Sequence, residues 1–493
     1  MRIPFEPQLC LGCTSILDVR LNTNCRDEII PILAALQHIY GQPTLRDEIL
    51  DAVQQDVNGN SSPIRGRTGM NYWPILVLGA VRLGCKLDYD KLQNLAEEHR
   101  SLRNIMGVNG WDDEQSFDWR CIRDNVCSLL PETIKHINHT IVAEGHRLVP
   151  EAAKTVRGDS FVVKTNVHYP TDSSLIGDGL RLIVPLAVQL AGLVGVDGWR
   201  QNKHLLRDVK QQLRVINRIA SSKGRDCQNR LKDAYRTLLD QADRILDRAI
   251  KLLDPAFLII SPGEHASDVN TLRNKLLNQL NMTIRVCDVA RRRVLQGETI
   301  ANDEKLFSLF EPETELINRG KNPNPIEFGH RVLVIEDGVG FVCHYTVMQR
   351  GAVDSEVLVG EFKKLQERLC GRIERASFDR GFHSPANQVE LTKLVRHPCL
   401  PKPGVHQAEQ QEREATVEFR EARRKHAGIE SAIGALQSGN GLDRCRDRTF
   451  GGYCRYVGLG ILGRNLHVLG KLLLARDDEK CEAGQSRRDR VAA

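Results

Sequence analysis

The sequence predicts an α/β protein whose mixed sheet is split along the chain by a long helical insertion and preceded by an all-helical region. Three observations carry that reading. From position 26 to about 148, apolar residues recur at three- and four-residue steps. At Val156 the period changes to the alternation of "DSFVVKTNVHY", after which helical spacing returns from Ser174 to about Gly297. From His330 onward, strand and helix signals take turns.

The 493 residues suggest about three domains. In the first, residues 1–150, the runs "RDEIIPILAALQHIY", "NYWPILVLGAVRLG", "YDKLQNLAEEHRSLRNIMG" and "DWRCIRDNVCSLLPETIKHINHTIVAEGHRL" read as helices. They are separated by "GQPT", "NGNSSPIRGRTG" and "GVNGWDDEQS", where Gly, Pro, Asn and Ser gather. The strand that follows is ended by Pro170. An insertion over 176–325 begins with "LIVPLAVQLAGLVGV" (Leu182 to Val196), which is short for a bilayer span, is interrupted by Pro185 and Gln189, and is expected as a buried helix. Three amphipathic runs complete it.

Residues 151–175 and 326–470 are expected to build the sheet domain. "HRVLVIED" and "GFVCHYTVM" flank the turn "GVG" as a hairpin. Then come a helix at "DSEVLVGEFKKLQERL", a strand at "RIERASF", a helix at "SPANQVELTKLV" and a short "RHPCL". After the linker "PKPGVHQAEQQ", one charged helix is expected from about Glu412 to Leu436, then the apolar helix "GLGILGRNLHVLGKLLLAR" and a polar, frayed tail over 477–493.

A hydrophobic share of 41% and a charged share of 27% are those of a soluble globular protein with material for a core. The net charge is only +6, but Arg200 to Lys251 holds fourteen Lys/Arg against six Asp, so the excess is concentrated there. Arg200, Lys203, Arg207, Lys210, Arg214 and Arg218 fall at helical spacing, with Asp208 the one acid among them, while Leu206, Val209, Leu213 and Ile216 mark a largely different face. Such a stripe either meets DNA phosphates or is a solvated helix face. "DRCRDR" and Arg423, Arg424 and Lys425 are further basic candidates, whereas Trp73, Trp111, Trp119 and Trp199 are expected in the core.

The fourteen cysteines lack regular spacing, and the start has no secretory pattern, so reduced thiols in a bacterial cytoplasm and no membrane association are expected. Cys10 and Cys13 have metal-ligand spacing, but with Cys25 they make three ligands where zinc needs four, and they read as ordinary thiols.

Three acids occupy places suited to two-metal phosphodiester chemistry. Asp159 opens the first strand, Asp379 ends a later one in "SFDRGFHSPANQ", and Glu430 lies on the helix "RRKHAGIESAIGALQ". Pattern alone does not select them: Asp172, Glu336 and Asp337 also follow strands, and Glu418 and Glu421 share the late helix. A helix-capping role for Asp379 has a better-placed rival, since Ser384 precedes Pro385 at the start of the next helix.

The blocks "RGDSFVVKTNVHYPTDSSL", "FDRGFHSPANQ" and "KHAGIESAIGALQSGNGLDRCRDR", with "YVGLGILGRNLHVLG" after them, resemble those of bacterial insertion-sequence DDE transposases, most closely the ISNCY group. "RGRTGMNYWPILVLGAVRLGCKLDYDKLQNLAEEHRSLRNIMG" resembles their helical N-terminal region, and the similarity spans about residues 65 to 470. The resemblance implies a ribonuclease-H-like core with a helical insertion, and a triad of Asp159, Asp379 and Glu430 holding two Mg2+ ions, with Mn2+ able to substitute. It implies a nucleoid-associated transposase that acts as a homo-oligomer on double-stranded DNA, cleaving transposon ends and joining the 3′-hydroxyls to target DNA. Its N-terminal helices would recognise DNA ends or dimerise. The alternatives are another ribonuclease-H-like metal nuclease and a non-catalytic DNA-binding relative. One departure stands out: the Tyr-x2-Arg-x3-Glu-x6-Lys signature of many related enzymes becomes Arg423, His426, Glu430 and Gln437, so His426 is expected to contact a phosphate or orient the carboxylate.

Overall fold

The computed structural model describes residues 2, 14–59, 69–109, 115–222, 224, 226–254, 266–318, 320, 325–405 and 407–492. Cys10, Cys13 and Trp111 lie outside the described residues. The protein is mixed α/β with an open sheet of six strands. It divides into two compact units, Met1–Asn166 with Gly329–Ala493, and Val167–Phe328.

The first unit begins with α1 (Ile29–Tyr40), α2 (Pro43–Asn58), α3 (Tyr72–Gly84), α4 (Tyr89–Glu98), α5 (Arg100–Met106), α6 (Trp119–Cys127) and α7 (Pro131–Leu148). These helices belong to the same compact unit as most of the sheet. Helix α3 is apolar almost all round, and such a helix must lie inside the protein; all thirteen of its residues are buried. Its one charge, Arg82, reaches Asp447 at 2.6 Å and lies 4.0 Å over the Tyr89 ring, as a buried cation requires. Asp447 belongs to "DRCRDR", so part of that segment is committed to holding its own loop against α3.

The late helix α17 (Phe450–Ala492) packs against α1, α3 and α7. Glycines set the approach: a Cβ on Gly463 would stand 2.5 Å from the Cα of Gly84, and one on Gly470 would stand 1.7 Å from the Pro31 carbonyl oxygen. The helix continues to Ala492, through the polar segment from which a frayed tail was expected.

Strand β1 (Thr155–Lys164) is the centre of the sheet. After the second unit, β3 (Ile326–Asp337) returns antiparallel to it, from Lys164 opposite Gly329 to Val156 opposite Asp337. β4 (Val342–Val347) pairs with the outer edge of β3, with a bulge between Ile335 and Glu336. On the other side of β1, β5 (Arg375–Phe378) is parallel to β1, and β6 (His397–Cys399) is parallel to β5. A short β2 (Glu315–Asn318), not visible in the sequence pattern, completes the order β2-β3-β1-β5-β6. The β3–β4 turn is held by Asp337: its Oδ1 accepts the N–H groups of Val339, Gly340 and Phe341 at 2.9, 2.9 and 3.0 Å. Its Oδ2 lies 2.7 Å from Nε2 of His146 on α7.

The second unit contains α8 (Asp172–Val194), α9 (Asn202–Ala220), α10 (Cys227–Lys251) and α11 (Ala266–Ala290) around its own core, which includes Ile176, Ile183, Tyr235, Leu238, Leu246 and Leu280. Thr171 caps α8 by accepting the Ser174 N–H at 3.2 Å, so the helix starts ten residues before the apolar run at Leu182 and reaches 23 residues. Helix α8 and the Phe450–Glu479 part of α17 are therefore long and apolar enough to cross a membrane, which the apolar runs alone did not suggest; 61% and 67% of their most apolar windows are buried against protein.

Between β4 and β6 the chain forms α12 (Asp354–Arg368) and α13 (Pro385–Leu394). The charged helix expected from Glu412 to Leu436 is three helices, α14 (Ala408–Ala415), α15 (Val417–His426) and α16 (Gly428–Ser438). The first break is a capping event, Thr416 Oγ1 accepting the Phe419 N–H at 3.4 Å. The second, at Ala427, stands before Gly428 and is contacted from the sheet.

One partly buried cluster makes stability depend on pH. His139 of α7 lies among Lys135, His136, His344 and Arg368, and burial followed by these cations lowers its pKa from 6.5 to about 3. His344 of β4 is lowered too, chiefly by burial, and its Nε2 stands 2.8 Å from Oε2 of Glu361 on α12. Glu361, which also pairs with Lys364, is held down to about 2, chiefly by the His344 hydrogen bond. For His139, the unfolded chain takes up a proton near 6.5 while the folded chain does not until about 3, so its stability contribution is complete above 6.5 and is lost as pH falls through that window. The urea midpoint should fall across this range, and His139→Gln should flatten the fall; parallel curves for the two proteins would remove His139 as the cause.

Candidate active site

Strand pairing brings together the residues just before Asp159 and Asp379. In the parallel β1–β5 ladder Arg157 stands opposite Ser377 and Gly158 opposite Phe378. The ladder ends there: Asp159 is the next residue of β1, which begins at Thr155 rather than opening at Asp159 and runs on to Lys164, and Asp379 is the first residue past the end of β5. Gly158 permits the close pairing, since a Cβ there would meet the Phe378 ring at 2.6 Å. Asp159 is half-buried, with Oδ1 2.7 Å from the Ser160 N–H, and Asp379 is exposed.

Asp379 precedes a single 3-10 turn at Arg380–Phe382 but makes no side-chain cap. Ser384 caps α13 instead, Oγ accepting the Asn387 N–H at 3.1 Å, with Pro385 in the first turn.

Glu430 is exposed on the first turn of α16, which packs on β1. Four residues earlier, His426 is half-buried, with Nδ1 3.2 Å from the Ser377 hydroxyl. Burial holds His426 below the ordinary histidine range, against the pull of the Asp379 and Glu430 charges, while Arg157 adds to the lowering. The end of α15 thus lies over the end of β5, in the field of both Asp379 and Glu430. Gln437 points back to β1, with Nε2 3.5 Å from the Val162 carbonyl oxygen.

Three of the rival acids are committed elsewhere. Glu336 is 1% exposed and is engaged by Arg157 at 2.6 Å and Arg464 at 3.8 Å; burial pushes its pKa up, against those cations. Asp337 holds the hairpin, and Asp172, in the second unit, pairs with Arg293 at 3.5 Å. Glu418 and Glu421 are exposed on α15. Toward the starts of β1 and β5, a cavity of about 500 Å³ is lined by Thr155, Arg157, Arg375, Ser377, Glu421 and Lys425.

Carboxylates such as those of Asp159, Asp379 and Glu430 are the hard oxygen donors that magnesium takes. Among the described residues, no three His, Cys, Asp or Glu side chains gather closely enough to hold a metal ion, so the three acids do not form a ligand set as they stand.

The six cations from Arg200 to Arg218 are all exposed, while Val209, Ile216 and Ile219 of α9 are buried. Asp208 is engaged by His204 at 2.7 Å, and Arg200 stands 3.7 Å from Asp197. Arg423 and Arg424 are exposed in the last turn of α15, where positive charge also suits the helix dipole. Trp73 and Trp199 are buried; Trp119 is half-buried under Arg120 and Arg123.

Sequence reasoning missed Arg157 and Ser377, which tie the strands to the end of α15, just before the helix bearing Glu430; no spacing signal marks them. Compared with family models, with curated proteins and with solved structures, the chain finds no match.

Proposed function

We propose that this chain is a DNA transposase of the insertion-sequence DDE type, with Asp159, Asp379 and Glu430 as its carboxylates and a ribonuclease-H-like core. The observation that supports the reading is the parallel β1–β5 register, in which Gly158 and Phe378, the residues just before Asp159 and Asp379, are partners. A sheet centred on β1, antiparallel to β3 and parallel to β5, and interrupted by a helical unit, supports the same reading.

Asp159 and Asp379 would hold two Mg2+ ions, with Glu430 completing the set from α16. Bound there, such a pair lowers the pKa of the attacking water or 3′-hydroxyl and stabilises the leaving oxygen. His426, donating to or accepting from Ser377, keeps the helix end over the carboxylates. The test is joining of a pre-cleaved end, a duplex carrying the inverted repeats that bound the coding sequence, to a target plasmid. Joined product supports the transposase; cleavage without joining leaves a metal nuclease, and neither activity leaves a non-catalytic DNA-binding protein.

The proposed duplex contact is the α9 stripe, whose cations Lys203, Arg207, Lys210, Arg214 and Arg218 all face solvent. Each phosphate contact adds about 0.9 to the dependence of log K on log salt, so replacing Arg207, Lys210 and Arg214 with Gln should flatten the slope by roughly 2 to 3. An unchanged slope in a filter-binding titration would leave α9 as ordinary surface.

A further inference from the structure

The break between α15 and α16 lies where the sheet grips the helix. Arg157 on β1 stands two residues before Asp159, and its Nε and Nη2 reach Oε2 of Glu336 at 2.8 and 2.6 Å, directly across the antiparallel pair. Its third arm, Nη1, donates to the Lys425 carbonyl oxygen at 3.1 Å, at the end of α15. On the neighbouring strand Ser377, two residues before Asp379 and the register partner of Arg157, contacts His426 at 3.2 Å. Each aspartate strand therefore ties itself, at the same step behind its carboxylate, to the junction that leads into Glu430.

Gly428 makes room for the grip. A Cβ there would stand 2.1 Å from Nη1 of Arg157 and 2.7 Å from Cζ. The buried carboxylate of Glu336 fixes the root of the guanidinium, and the planar fork leaves one edge for the helix carbonyl. A lysine has no such geometry: one ammonium cannot hold Glu336 and the Lys425 carbonyl in the same arrangement.

Resting on the proposed metal site, we infer that Arg157 is a positioning residue, which, locked by Glu336 and admitted by Gly428, holds the α15–α16 junction from which Glu430 would reach the metal. It touches no reacting atom; it fixes the junction that leads into the helix of the third ligand.

The test is Mn2+ binding by calorimetry on the full chain, with wild type, Asp159→Asn, Arg157→Lys and Gly428→Ala. Gly428→Ala displaces the arm without removing any charge, so the two variants reach the same contact by different routes. The expectation is Mn2+ affinity reduced about tenfold or more in both, the usual cost of losing an outer-shell support, with thermal midpoints kept and binding to nonspecific duplex unchanged. Wild-type affinity in a correctly folded Gly428→Ala, with the site abolished by Asp159→Asn, overturns the positioning role and leaves the metal site standing. Wild-type Mn2+ binding that Asp159→Asn does not alter overturns the metal site and the role together.

Discussion

Asp159→Asn and Asp379→Asn are each expected to abolish strand cleavage, by roughly a thousandfold or more, while leaving DNA binding largely intact. Metal-assisted charge stabilisation is worth several kcal/mol, and each factor of ten in rate is about 1.4 kcal/mol. The amide keeps the size of the carboxylate and removes the anionic oxygen that a hard cation selects. One carboxylate is half-buried and the other exposed, so neither substitution opens the core. Glu430→Gln is expected to behave alike. The measurement is cleavage of end-containing duplex on a denaturing gel at saturating Mg2+, alongside a mobility-shift titration. Full activity in any of the three removes that residue from the site.

The second large effect concerns folding. Asp337 and His146 are each 1% exposed, and Asp337 is the acceptor for three turn N–H groups as well as the partner of the histidine. Asp337→Ala removes one partner from a buried network and leaves the others unsatisfied, a change that costs about 3–5 kcal/mol. Because α7 and the β3–β4 hairpin are joined there, the loss should appear as a lower denaturant midpoint for the first unit. A loss under about 1 kcal/mol would mean that the turn and α7 are held by apolar packing alone.

Much of the fold is legible in the sequence because most elements bury a face and so carry a period. Most of the N-terminal helical region, the β3–β4 hairpin, and the alternation of α12, β5, α13 and β6 follow from apolar spacing and turn residues, although α2 starts within the "GQPT" expected as a break and two expected helices are each divided, at His99 and before Pro131. What is illegible has long-range causes. β2 is four residues long, too short to declare a period. The α15–α16 break has one local sign, Gly428, but its partner is distant: a guanidinium from 268 residues earlier in the chain, bonded to the Lys425 carbonyl.

The candidate site divides in the same way. Asp379 could be freed from a capping role by reading Ser384 and Pro385, and the α9 stripe by counting charges. The pairing of Gly158 with Phe378, just before the two aspartates, depends on which strands are neighbours and in what register, and no residue of "RGDSFVV" or "FDRGF" encodes that by itself. Arg157 is hidden for the same reason: in sequence it is one of many basic residues, and only the sheet shows that it faces Glu336 and Ser377.

The central claim is that the two strand aspartates form a cation site completed by Glu430. Anomalous diffraction from crystals soaked in Mn2+ addresses it most directly. The account predicts Mn2+ density between the Asp159 and Asp379 carboxylates, with Glu430 turned in to coordinate it, and loss of that density in Asp379→Asn. Crystals with an open site that show no Mn2+ there, or Mn2+ bound only elsewhere, would contradict it.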